Sequence, residues 1–166
     1  MSIHQPMRLA TILRTGAIAG AAGGLAEVAW VSVYAGLTGA SAAAVSRGVT
    51  TAVGATAPLP NDAAMLGILI HMAIAVALGV ALAAAWHGLA RIWPSGRPRY
   101  AFVLATLAAV WGLNFFVILP IVSPDFVHLV PYAVSLVSKL LFGLAAAEAL
   151  RRTATWSVAT YARAGA

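Results

Sequence analysis

Long apolar runs separated by short polar breaks dominate this chain. Residues 15–36, 63–86, 100–120 and 130–150 are each almost free of charge. As helices rising about 1.5 Å per residue, runs of roughly 20 residues cross the ~30 Å hydrocarbon core of a bilayer. The alternating segments of about ten residues that build a membrane β-barrel are missing. Within lipid the backbone must satisfy itself in helices or in a closed barrel. The pattern therefore predicts an all-α, polytopic four-transmembrane-helix bundle, one membrane domain over residues 1–166. Its spans are expected at about 12–37, 62–90, 99–120 and 130–152, with a long outer loop over 38–61.

The breaks refine these elements. The first span should end near Gly36 or Gly39. In the loop, Ser41 is placed to cap a short helix carrying Val45, Val49 and Val53 on one face and stopped by Gly54. Such a helix would lie on the outer surface or tuck between spans. Asn61 or Asp62 would cap the second span, and Trp93-Pro94-Ser95-Gly96-Arg97-Pro98 reads as a tight turn. Pro120 should end the third span. Ser123-Pro124-Asp125 is a helix-start signal, and Arg151 and Arg152 should close the fourth span. Arg8, Arg14 and the triplet Ala17-Ile18-Ala19 resemble a cleavable leader, but the apolar run continues to Gly36, too far for a leader core, and is expected to be a true span.

Composition agrees: the chain is 62% hydrophobic and 8% charged, whereas soluble domains carry about 25% charged residues. Its net charge of +6 would suit nucleic acid were it not for where the charges fall. Arg8, Arg14, Arg91, Arg97, Arg99, Arg151, Arg152 and Arg163 all flank the spans on one side, and the opposite loops hold only Arg47. This is the positive-inside pattern, which predicts both termini in the cytoplasm. The basicity reads as topology, with affinity for anionic lipid, and not as a nucleic-acid surface. Trp86, Trp93, Tyr100 and Trp156 mark the inner interface, Tyr34 and Tyr132 the outer one. The absence of cysteine removes disulfides, thiolate metal sites and cysteine nucleophiles.

Candidate chemistry lies inside the spans, where an ionisable residue is costly and is a functional candidate by default. Each span contributes one polar residue: Glu27, His71, Asn114 and Lys139. Counting from the outer helix ends places all of them about 9–14 Å below the outer boundary. Small residues point the same way. Gly16, Gly20 and Gly24 lead to Glu27; Gly67, His71, Ala75, Gly79 and Ala83 form one ladder, and Ser135, Lys139, Gly143 and Ala147 another. Such ladders are where membrane helices approach closely, so Glu27, His71 and Lys139 are expected to face inward. The third span has no ladder to orient Asn114. Two accounts stay open: a structural ion pair of Glu27 and Lys139 with polar glue around it, or a site for a ligand, proton or ion.

Other candidates carry less. Asp125 and His128, three apart near the outer mouth, offer two ligands to a cation, with a capped surface turn as the plainer account. His87 lies on the His71 ladder but roughly 24 Å away, so the two cannot share a metal or haem. Glu148 should pair with Arg151 or Arg152 along one helix. HExxH, GxSxG, Walker and dinucleotide-binding motifs are absent, so no complete catalytic set is visible. The residue pattern leaves any cofactor unknown.

The glycine-rich stretch from Gly16 to Glu27, the second span running from His71 to Trp93-Pro94, and the tail Glu148-Ala149-Leu150-Arg151-Arg152 together resemble the YagU-like group of bacterial inner-membrane proteins. Lys139 departs from a histidine expected nearby in that group. The resemblance implies a bacterial inner membrane and carries no settled activity. From the residues, the first expectation is a membrane protein whose polar cluster binds or relays a proton, an ion or a small polar molecule. Four spans are few for transport, so a homo-oligomer is expected. The alternatives are an accessory subunit of a larger membrane complex, docking through its glycine-rich first span, and a haem- or metal-binding protein. Glycine ladders satisfied within one chain favour the first; ladders facing lipid favour docking.

Overall fold

The computed structural model describes residues 9–90, 92, 93 and 96–164, with side chains through residue 153. Arg8, Arg91, Pro94, Ser95 and the side chains of Trp156 and Arg163 lie outside this description. The elements are α1 (Leu9–Thr38), α2 (Ala42–Ala52), α3 (Pro60–Leu89), α4 (Gly96–Leu113), a π-helical turn (Asn114–Ile118), α5 (Leu119–Val122), a 3-10 turn (Pro124–His128) and α6 (Tyr132–Ala164). There is no strand among the described residues. Four stretches, Leu9–Thr38, Pro60–Leu89, Arg97–Val122 and Tyr132–Thr153, are long and apolar enough to cross a membrane.

Local chemistry explains the boundaries. Gly39 and Gly54 adopt φ of +73° and +71°, a left-handed conformation that costs glycine little and so suits a turn after α1 and after α2. Ser41 Oγ accepts the Ala44 N–H at 3.1 Å, the expected cap. The valine stripe of α2 is partly covered, with Val45 and Val49 half-buried. Val53 is exposed, while Thr50 is buried and donates to the Ala63 carbonyl at 2.6 Å. α3 begins at Pro60, earlier than Asn61 or Asp62, because proline at the first position surrenders an N–H that had no partner there. Pro120 does not end its span. Its ring would clash with the carbonyl four residues back, and the preceding turn widens, so that Leu119 N–H reaches the Asn114 carbonyl, five residues back. The helix thereby continues to Val122. α6 likewise runs past Arg151 and Arg152.

α1 lies between α3 and α6. A Cβ placed on Gly16 or Gly20 would run into the α3 backbone at Val80 and Ala75, and one on Gly79 into the backbone of Gly16 and Gly20. These helices touch backbone to backbone, as small residues permit. On its other side α1 meets α6: Gly23 faces the Phe142 ring, and Trp30 Nε1 donates to the Val134 carbonyl at 3.0 Å. α4 packs chiefly on α6, where Gly143 receives Leu104 and Leu107. The four spans thus follow one another as α3, α1, α6, α4, with little direct packing between α3 and α4. Those two meet near the end that carries the termini. There Trp86 and Tyr100 stack edge to face at 5.6 Å, and the Arg99 guanidinium lies 4.7 Å from the Trp86 ring. At the opposite end α2 bridges. Its Ser46 carbonyl sits on Gly67 of α3, and its Gly48 is covered by Phe126 and Leu129, which lead into α6.

Candidate functional site

Glu27 follows Gly24 by three residues, so the close contact of α1 with α3 turns its side chain inward, where the residue is only 5% exposed. Lys139 Nζ, from α6, lies 2.7 Å from Glu27 Oε1. Ser138, its neighbour, donates to the same oxygen at 3.5 Å. His71 Nε2, from α3, lies 3.5 Å from Glu27 Oε2, and the Gly24 main chain also reaches the ring. The ammonium sits 5.4 Å from the centre of the Phe142 ring, where the ring's negative face favours a cation. Three spans thus converge on one carboxylate. An isolated charge here would be costly, and the opposite charge makes its burial tolerable.

The groups differ in access. The side chains of His71 and Lys139 are 27% and 22% exposed, against 7% for Glu27. The carboxylate is therefore the most enclosed group of the site, and the imidazole and ammonium side chains are the more exposed ones. His71 Nε2 itself is buried and makes no hydrogen bond among the described residues.

Asn114, the fourth expected member, does not join them. It opens the π-helical turn, half-buried, with no side-chain hydrogen bond among the described residues. α4 packs on α6 and so cannot aim it at α1 or α3. The polar contact from this helix comes from Trp111, whose Nε1 donates to Ser135 Oγ at 2.9 Å. Ser135 in turn donates to the Tyr132 carbonyl. Trp111 also stacks on Phe115 at 5.6 Å and meets Phe116 edge to face at 5.4 Å. Sequence reasoning missed Ser138 and this aromatic group; the position of Ser138 beside Lys139, on the same helical turn, was the available signal for the former.

No family model, curated protein or solved structure matches this chain.

The remaining candidates stand apart from the cluster. Asp125 and His128 are both exposed on the 3-10 turn. No set of three or more His, Asp or Glu side chains that could hold a metal gathers among the described residues. His87 is half-buried near the end that carries the termini, with no partner for Nε2. Glu148 makes the expected pairs, Arg151 at 2.6 Å and Arg152 at 2.6 Å. It also accepts the Tyr100 hydroxyl at 2.6 Å, a link from α6 to α4 that the sequence did not indicate.

Proposed function

We propose that this chain is an integral protein of a bacterial inner membrane, both termini cytoplasmic, whose Glu27–His71–Lys139 cluster binds or relays a proton, an ion or a small polar molecule entering from the outer side. One observation carries the reading: a buried carboxylate is shared by ionisable groups from two other spans, and those groups are partly accessible while the carboxylate is not. Glu27 is the acceptor, Lys139 its charge partner, and His71 the member whose ring can take up or release a proton. The concentration of arginines at one end supports the orientation. The likeness to the YagU-like group, resting on sequence motifs, supports the choice of membrane. Four spans are few for transport, so the reading calls for a second copy of the chain.

Docking of α1 onto another subunit through its glycine face has less support, because Gly16, Gly20 and Gly24 are consumed against α3 within the same chain. A bis-histidine haem would need a second His71 from another copy.

The test is proton movement into liposomes that enclose a pH-sensitive dye. Wild-type protein should dissipate an imposed pH gradient faster than empty liposomes do, and Glu27→Gln and His71→Ala should each remove the excess. A wild type indistinguishable from empty liposomes, or variants that keep the full rate, would remove the proton-relay reading of the cluster.

A further inference from the structure

The charge balance of the cluster bears on what it takes up, and this inference rests on reading the cluster as a binding site. Glu27 and Lys139, 2.7 Å apart, cancel. Glu27 Oε1 is occupied by Lys139 and Ser138, whereas the polar neighbour of Oε2 among the described residues is His71 Nε2 at 3.5 Å. That nitrogen is buried without a hydrogen bond. A carboxylate oxygen offers only lone pairs, so a ring nitrogen without its proton meets it lone pair to lone pair. A proton on Nε2 turns the contact into a charge-assisted one.

Protonation alone would leave one uncompensated positive charge at membrane depth, which is costly. A single negative charge arriving with the proton removes it. A dianion would overshoot, and a cation would meet Lys139 and His71, the two accessible side chains, before it reached the carboxylate. The charged groups facing His71 are Glu27 from α1 and Lys139 from α6. α2, which packs on α3 one turn further out, presents Ser46 and Thr50 there. No charged side chain of α4 faces the ring. We propose that the cluster takes up a small monoanion together with one proton, the anion against Lys139 and the proton on His71 Nε2. The proton comes from the outer solution and returns there when the anion leaves, so the step is electroneutral.

Reciprocal linkage makes this measurable: what the anion does to proton affinity, the proton does to anion affinity. The probe is sodium formate, added to the purified protein in weakly buffered detergent solution with a pH indicator. Formate should draw about one proton per anion bound, and its apparent affinity should fall about tenfold per pH unit through the range where His71 is neutral in the empty site and protonated in the complex. Sodium sulfate and tetramethylammonium gluconate should draw none. His71→Gln should abolish proton uptake and flatten the pH dependence. The charge-neutral double variant Glu27→Gln/Lys139→Met, which leaves no unpaired charge, should stay folded and bind no formate. Absence of formate-linked uptake, uptake driven by tetramethylammonium, or uptake unchanged in His71→Gln would overturn the proposal. If formate has no effect while liposome proton flux still depends on Glu27, the cluster remains a proton site and only the anion is withdrawn. If both are absent, the binding-site reading falls with it.

Discussion

Lys139 and Glu27 come from helices far apart in sequence, and their meeting sets what a single substitution costs. Removing either charge strands the other in a low-dielectric site, which typically costs about 3–5 kcal/mol, whereas replacing both with groups of similar volume can be nearly neutral. Glu27→Gln and Lys139→Met should thus each lower the unfolding temperature in detergent, and the double variant should recover most of the loss. Additive losses would mean that the 2.7 Å contact is not formed in the membrane protein. That these residues share one level was legible from the sequence, because helical rise is constant and residue counts convert directly to ångströms. The direction of Asn114 was not. Where a side chain on α4 points depends on which helix α4 packs against, and that is decided by residues of α6, Gly143 and Ser135, which leave no mark in the sequence of α4 itself.

Among the elements, α1 is the most demanding. Gly20 faces the α3 backbone, which has no side-chain tip to move aside, while Gly36 on the same helix has open space around it. Gly20→Leu should therefore separate α1 from α3 and lower the yield of folded protein sharply. Gly36→Ala should be tolerated or stabilise by up to about 1 kcal/mol through helix propensity. Thermal unfolding of the two variants side by side checks both; equal effects would mean that the helices are not in backbone contact. The glycine spacing announced this interface because close approach needs small residues at a fixed repeat. The fate of Pro120 was harder to read. The missing N–H and the ring clash were foreseeable, but two responses satisfy them, stopping the helix or widening it, and the widened turn leaves Val122 helical.

For the molecule as a whole, four spans could be counted from the sequence, but their neighbours could not. Small residues occur on α1, α3 and α6 alike, so the order α3, α1, α6, α4 emerges only when each ladder is matched to a partner. The proposed orientation rests on charge and is open to direct measurement. A reporter fused after Gly96 should register as cytoplasmic and one fused after Gly54 as external; the reverse would invert the protein and place the approach to Glu27 on the other side.

The central place of α6 has a consequence for how the protein is made. A ribosome delivers the helices in chain order, so α1 and α3 can pair as soon as both have left the insertion machinery. α4, emerging next, finds little of α3 to hold and must wait beside the growing chain. Throughout that interval Glu27 has no Lys139, and a lone carboxylate is poorly received by lipid. α6 therefore does two things at once: it gives α4 its partner and supplies the cation that pairs with Glu27. Until α6 arrives, these four spans cannot close into one bundle.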